Sequence, residues 1–292
     1  VPESRLVFGT AALGLPYGLG RDGRPPELMP EARAAALVTD ARERGFAIFD
    51  TAPGYGVSEE RMGRIVDGAA TVWTKVGHDV KEDYGRVEGS VATSCERLRR
   101  PLLDLLQWHN FTAERGADAR FRDAWKRLAA GGRVRALGAT TYGPADARAA
   151  VESGLFTLVQ VEWNVLNQRV VREVGELARA RGVKLAVRSV LLQGVLSEAA
   201  RDLPALPDLH RARARALDVA RQHGLPLEEM AMRAALHHRL IDHVLVGIDT
   251  EGQAQAALEL ERKGPLPAAL VDAIEALDLG GDPATDPRVW RR

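Results

Sequence analysis

The sequence contains one cysteine, Cys95, which excludes an internal disulfide framework and any multi-cysteine metal site. It sits in "SVATSCERL", a helical stretch without a charged trigger, so a plain helical thiol is expected rather than a nucleophile. No run approaches the roughly 20 apolar residues of a membrane span. An excess of one charge is also missing: Lys+Arg and Asp+Glu are both 40, a formal net charge of zero. There is no global basic field to hold a nucleic-acid backbone or an anionic membrane. The segment "VPESRLVFGT" lacks the basic-then-apolar layout of a secretion signal, and the reading is of a soluble cytoplasmic protein. No Gly/Ser- or Pro-rich linker divides the chain, so residues 1–292 read as a single domain.

What is present is apolar material: 46% of the 292 residues are hydrophobic, ample for a large core. It comes in short runs at 5–13, 47–52, 70–76, 103–109, 135–140, 158–163, 184–189 and 243–248. These are Val/Ile/Leu-rich and nearly continuous, as strands buried on both faces should be. Between them lie stretches of helical periodicity. In "PEARAAALVTDARERG", Pro30 suits the first helical position, Glu31 the positive end and Gly45 the exit. Eight strands alternating with helices predict a parallel α/β fold, and the length fits a (β/α)8 TIM barrel. A doubly wound open sheet is the alternative, weaker because strand count and length fit closure. The longest irregular stretch, 191–209, follows the seventh strand. The tail "GDPATDPRVWRR" reads as loop, with Trp290 folding back onto the body.

Two patterns invite a functional reading and are set aside. Gly18 to Gly23 spell G-x-G-x-x-G, but Pro25 and Pro26 follow where a phosphate-binding helix would have to open. A loop after the first strand is the simpler account. His237, His238 and His243 have no carboxylate at useful spacing to complete a metal set. They read as surface or packing residues, and no metal site is expected.

The stretch "FDTAPGYGVSEERMG" (49–63) carries the chemistry. In a (β/α)8 barrel, reactive groups collect at the C-terminal ends of the strands. Asp50 ends the second strand, Tyr55 follows in the next loop, Lys75 ends the third strand and His109 the fourth. Each alone has a structural explanation: a turn cap, a packing ring, half an ion pair, a satisfied core histidine. Four at consecutive strand ends are harder to explain that way. A phenol has an unperturbed pKa of about 10, and a nearby ammonium, held by a carboxylate, lowers it. A histidine beside it can orient a substrate oxygen. Together they make a proton donor–acceptor for a carbonyl or alcohol oxygen. Such a step pairs with hydride transfer, which no side chain supplies, so a nicotinamide cofactor is implied.

This set, with "VWTKV", "DLLQWHNF", "GGRVRALGATTYGPADARAA", "VQVEWNVLNQ", "RSVLLQGVLS" and "VLVGIDTEGQAQAAL", resembles the aldo-keto reductases over about residues 5–263. The resemblance implies that Tyr55 is the general acid/base, tuned by Lys75, with Asp50 supporting Lys75 and His109 positioning substrate. It implies cofactor contacts from Thr140, Thr141, Gln160, Arg188, Ser189, Leu191 and Gly194. A second cofactor segment holds Gly247, Ile248, Asp249, Thr250 and Gln253. Thr141 stands where asparagine is usual, and Arg188 where many members stack a tyrosine on the nicotinamide. A guanidinium can stack as well. Gly247 and Gln253 stand where a lysine and an arginine often clamp the adenosine 2′-phosphate, with acidic Asp249 and Glu251 nearby. This leaves NADP(H) only slightly ahead of NAD(H). Arg239 and Arg262 are the cations that could reach in.

The function that follows is NAD(P)H-dependent reduction of an aldehyde, ketone or keto-sugar, with Tyr17, Trp108, Phe111 and Trp163 as substrate contacts. Two alternatives stay open: a redox-neutral lyase or isomerase using the same tetrad, and a cofactor-binding regulatory subunit. Oligomeric state is not legible.

Overall fold

The fold is described from a computed structural model covering residues 4–18, 26–77, 80, 83–200 and 203–290. Most of the G-x-G-x-x-G stretch lies outside the described residues. Eight parallel strands close into a barrel in chain order. They are β1 (Leu6–Gly9), β2 (Ile48–Asp50), β3 (Thr71–Lys75), β4 (Leu105–Trp108), β5 (Leu137–Thr140), β6 (Leu158–Glu162), β7 (Lys184–Arg188) and β8 (His243–Gly247). Each of the eight apolar runs contains one of them. β8 pairs back onto β1, with Leu6 opposite Val244 and Gly9 opposite Gly247, so closure wins over the open sheet.

The helices follow in order: α1 (Ala11–Gly14), α2 (Glu31–Arg44), α3 (Ser58–Ile65), α4 (Val87–Leu98), α5 (Ala113–Ala117) and α6 (Ala119–Ala130). Then come α7 (Gly143–Glu152), α8 (Arg169–Ala180), α9 (Pro207–Gln222), α10 (Leu227–Leu236), α11 (Glu251–Arg262) and α12 (Ala268–Glu275). Pro30 sits one residue outside α2, its ψ of 142° being extended rather than helical, while Gly45 ends the helix at φ 122°. The alkyl-rich faces of these helices cover the outside of the barrel. No helix among the described residues is long and apolar enough to cross a membrane.

Strand side chains alternate between two cores. Leu6, Phe8, Phe49, Val72, Leu106, Trp108, Val159, Val161 and Val187 belong to the large core between strands and helices. Val7, Ile48, Trp73, Leu105, Leu158, Ala186 and Leu245 form a separate apolar plug inside the barrel. Two residues beyond each plug residue, one layer nearer the C-terminal rim, stand Gly9, Asp50, Lys75, Gln107, Gln160, Arg188 and Gly247. An apolar floor therefore carries a polar layer, and β1 and β8 contribute only glycine to that layer.

Cys95 lies half-buried in α4, and burial raises its thiol above the ordinary value. His243 packs edge-on against Trp73 at 5.2 Å between ring centroids. No metal-ligand cluster occurs among the described residues.

Candidate active site

Asp50 and Lys75 meet in the polar layer, both almost fully buried. Lys75 Nζ lies 2.6 Å from Asp50 Oδ2 and donates to the Thr51 carbonyl at 2.9 Å. The same ammonium sits 4.8 Å from the centroid of the Tyr55 ring. Tyr55 is delivered by the loop between β2 and α3, which rests on α1: Val57 N–H donates to the Gly14 carbonyl at 3.2 Å. Gly56 takes φ 57°, and a β-carbon there would meet the Gly14 oxygen at 2.1 Å. Ser58 anchors the loop from below by hydrogen bonds to Thr10 and Thr51. His109 follows β4 and lines the same cavity as Tyr55.

Burial lowers the affinity of Lys75 for its proton, but Asp50 and Tyr55 outweigh it, and the ammonium is held above its ordinary pKa. For Tyr55 the balance differs from the sequence reading. Burial raises the phenol, Lys75 pulls it down, and burial wins, so its pKa stands above the ordinary value. Desolvation of a phenolate outweighs one neighbouring ammonium whose charge is shared with Asp50.

The cavity at the C-terminal rim has a volume of about 540 Å³. Its wall includes Tyr17, Tyr55, His109, Thr140, Gln160, Arg188 and Ser189, as expected from sequence. A second cleft of about 460 Å³ near Tyr84, Arg115, Arg120 and Arg127 holds none of the predicted residues. Thr140 Oγ accepts the Asn110 N–H at 2.8 Å, leaving its own O–H to donate. Gln160 turns its N–H groups inward, to Asp50 Oδ1 and to Gln107 Oε1, both at 3.2 Å. Its carbonyl end is left as an acceptor. A donor beside an acceptor is the complement of a primary carboxamide, so these residues fit the amide of a nicotinamide.

Arg188 is fixed on three sides. It pairs with Glu162 at 3.4 Å, donates to the Thr141 carbonyl at 2.9 Å, and lies 4.3 Å from the centroid of the Tyr142 ring. Burial lowers its pKa, but Tyr142 and Glu162 outweigh that and raise it. After β7 the chain turns sharply. Ser189, Leu192, Gln193 and Gly194 all take positive φ, at 64°, 48°, 55° and 95°. Leu191 accepts the Gly194 N–H at 2.8 Å within that turn.

Several predicted residues are placed elsewhere. Trp108 points outward, packed against Phe121 and Trp125 at 4.9 and 5.6 Å between centroids. Phe111 packs on Phe156 at 5.1 Å, and Trp163 is buried near His238. None of the three lines the cavity. Trp108 and Trp163 directly follow the inward-facing Gln107 and Glu162, so alternation turns them away. Thr141 is likewise on the far side, its hydroxyl buried without a hydrogen-bond partner. Ile248 belongs to the outer core.

Gly247, at the end of β8, and Asp249, Thr250 and Gln253, at the start of α11, lie outside the cavity wall. Thr250 caps that helix by accepting the Gln253 N–H at 3.3 Å. Gln253 Oε1 returns to the Asp249 N–H, one residue before the cap, at 2.7 Å. Arg239 is turned away in an ion pair with Glu176, and Arg262 ends the opposite terminus of α11. Among the described residues, Arg33 of α2 donates to the Asp249 carbonyl at 3.2 Å, and Arg44 reaches Gln255 of α11 at 3.3 Å.

Sequence reading missed Gln107, Glu162, Tyr142 and Asn167, and above all the tail. Asp282, Thr285, Asp286 and Arg288 form one wall of the cavity. Trp290 folds back as expected, donating to the Ala284 carbonyl at 3.0 Å. Arg288 pairs with Asp286 and lies 3.4 Å from the Tyr142 ring centroid, so Tyr142 contacts two guanidinium groups.

Comparison with known proteins bears on the family and the fold. The sequence model of the Aldo/keto reductase family matches residues 5–279. A D-threo-aldose 1-dehydrogenase from Pseudomonas sp. is 27% identical, the match covering 86% of this chain and 92% of the relative. In fold, the holo form of the aldo-keto reductase AKR11C1 from Bacillus halodurans superposes with a TM-score of 0.79 at 23% identity, over 94% of this chain and 92% of that one. The glycerol dehydrogenase AKR11B4 from Gluconobacter oxydans gives 0.73 at 22% identity, over 95% and 92%. A closed eight-stranded barrel bearing an Asp–Tyr–Lys–His set, and a family match over nearly its whole length, lead to one conclusion: the chain belongs to the aldo/keto reductase family of oxidoreductases.

Proposed function

We propose that the protein reduces the carbonyl of a small aldehyde, ketone or keto-sugar, and reversibly oxidises the alcohol, with NAD(P)H as hydride source. The observation that carries this is the buried Asp50–Lys75 pair beneath Tyr55, with Tyr55 and His109 opening onto one cavity. A relative named for aldose oxidation and a fold neighbour named for glycerol oxidation support a polyhydroxylated substrate.

The residues divide the work. A phenol is protonated at neutral pH, the form needed to donate to a carbonyl oxygen, and burial favours that form of Tyr55 further. Lys75 stabilises the phenolate left behind, and Asp50 keeps Lys75 charged and in place. His109 orients the carbonyl oxygen toward the phenol. Thr140 and Gln160 would hold the carboxamide end of the nicotinamide, Arg188 would flank its ring, and the turn at 189–194 would lie along the rest of the cofactor. When bound, the nicotinamide supplies or takes up the hydride. The protein then reads as cytoplasmic, acting on a small molecule rather than a nucleic acid or membrane.

The test is a screen of aldoses, ketoses, polyols and short aldehydes, following reduced-cofactor absorbance, with Tyr55→Phe beside the wild type. Loss of a general acid lowers turnover by about 10²–10⁴-fold. Conversion of substrate without oxidation of cofactor would replace this reading by the redox-neutral one. A drop of less than about threefold in Tyr55→Phe would remove Tyr55 from the mechanism.

A further inference from the structure

Gln107 is fully buried in the polar layer of the barrel, two residues before His109, and no step above uses it. Its Nε2 donates to Asp50 Oδ1 at 2.8 Å, and its Oε1 accepts from Gln160 Nε2 at 3.2 Å. Asp50 thus has one oxygen on Lys75 and the other on two amides.

A carboxylate can only accept hydrogen bonds. Both glutamines must therefore turn an N–H toward Asp50. Gln160 spends its second N–H on Gln107, so only its carbonyl remains for the cavity. Without Gln107, two constraints disappear together. The Asp50 carboxylate loses one of its three side-chain donors, and Gln160 keeps one N–H on Asp50 but loses the partner of its second, so its amide can swing about that single bond.

We propose that Gln107 is a positioning residue that ties the acid centre to the cofactor-facing amide. It holds Asp50 so that Lys75 stays under Tyr55, and it fixes Gln160 as an acceptor that selects a carboxamide over a carboxylate. This rests on the reduction reading for its cofactor half. The Tyr55 half stands on the hydrogen bonds alone. The charged and titratable groups facing this layer are Lys75 from β3, Tyr55 from the loop after β2, His109 from β4, Glu162 from β6 and Arg188 from β7.

The experiment uses Gln107→Met, which keeps the volume and removes both polar ends, and Gln107→Glu, which keeps the shape and adds a carboxyl beside Asp50. Each is made with and without Tyr55→Phe. Ultraviolet difference absorbance between the members of each pair isolates the Tyr55 phenolate and needs no turnover. Lys75 acts on Tyr55 more strongly than Asp50 does, so its loosening in Gln107→Met raises the Tyr55 midpoint. The expected rise is about half a unit or more. Fluorescence titration with NADH and its nicotinic-acid analogue reads the Gln160 end. Wild type favours the carboxamide by about tenfold or more, and Gln107→Met lowers that ratio by about threefold or more.

In Gln107→Glu the two carboxyls share a proton at low pH, and one can still donate to the other. Turnover is then within about fivefold of wild type near pH 6 and falls at least tenfold further by about pH 9. A residue that merely fills space moves neither the Tyr55 midpoint nor the carboxamide ratio, and that result overturns the proposal. If Gln107→Met does not fold, Gln107→Asn withdraws the amide by one methylene, and an unshifted Tyr55 midpoint there overturns it equally. A wild type that oxidises no cofactor with any carbonyl sinks the reduction reading, while the Tyr55 titration still decides for or against Gln107.

Discussion

The α-carbon of Gly14 faces the backbone carbonyl of Tyr55 so closely that a β-carbon on Gly14 would fall 1.8 Å from that oxygen. It would also fall 2.6 Å from the Ser58 β-carbon. Only a residue without a side chain lets α1 support the Tyr55 loop at this distance. Gly14→Ala therefore pushes the loop away from the barrel. The expected loss of stability is about 1–3 kcal/mol, as for other overpacked sites. Turnover should fall about 10²-fold, since a displacement of order 1 Å of a reacting group has that effect. Thermal melting and steady-state kinetics on the one variant test both; an unchanged turnover number would mean that the loop is free to move without consequence.

The Lys75 and Tyr55 shifts predict how stability responds to alkali. Both pKa values are raised in the folded protein. Below the unfolded values, about 10 for tyrosine and 10.4 for lysine, both groups are protonated in either state and their contribution is fully present. Above them the unfolded chain releases its protons first. The folded state then binds more protons, so stability falls as pH rises toward the folded pKa values. Denaturant unfolding at about pH 8 and about pH 11 should show a smaller decline for the Lys75→Met, Tyr55→Phe double variant than for wild type. Equal declines would place the alkaline loss in other groups.

Arg188 is held by Glu162, the Thr141 carbonyl and the Tyr142 ring, which leaves a planar group standing ready in the cavity wall. Arg188→Ala should weaken reduced-cofactor binding by about 3- to 30-fold, the range of one cation–π contact. Arg188→Lys should not restore it, because an ammonium cannot stack as a guanidinium does. Substrate KM should change less. A crystal structure with cofactor in which Arg188 points to solvent would end this account.

Cofactor choice depends on the start of α11. Gln253 is engaged with the Asp249 N–H, and Arg33 reaches the segment from α2. Discrimination between NADPH and NADH should stay below about 100-fold, roughly 2.7 kcal/mol. Gln253→Arg should move the preference toward NADPH through a bidentate phosphate contact. Part of that gain is offset by the lost cap on Asp249. Arg33→Ala should weaken NADPH more than NADH. Paired dissociation constants by fluorescence decide; a wild-type NADPH preference beyond about a thousandfold would reveal a basic clamp other than Arg33.

All eight strands and the Asp50–Tyr55–Lys75–His109 order were legible because continuous apolar runs and strand-end polar residues are local signals. The errors fell where direction matters. Trp108 and Trp163 look like pocket aromatics by position, yet they face the helices, while neighbouring Gln107 and Glu162 face inward. Period-2 alternation counted along each strand, from His109 back to Gln107 and from Gln160 on to Glu162, would have separated them. The pKa of Tyr55 could not be read because burial is a property of the assembled loop, not of the residues beside it. The tail was opaque for a different reason: nothing in "GDPATDPRVWRR" indicates that it crosses the barrel mouth to reach Tyr142.

That crossing divides the site into parts that can vary independently. The polar layer, which performs the proton chemistry, belongs to strands whose register the whole barrel enforces. One wall of the cavity belongs to residues 281–288, a short segment that touches Tyr142 through Arg288 and packs Ala284 and Trp290 into the outer core. Exchanging that segment between relatives would recast the shape of the chamber without disturbing a single strand. Directed evolution of substrate preference should therefore begin at the tail, which can change while the strands carrying the proton chemistry stay as they are.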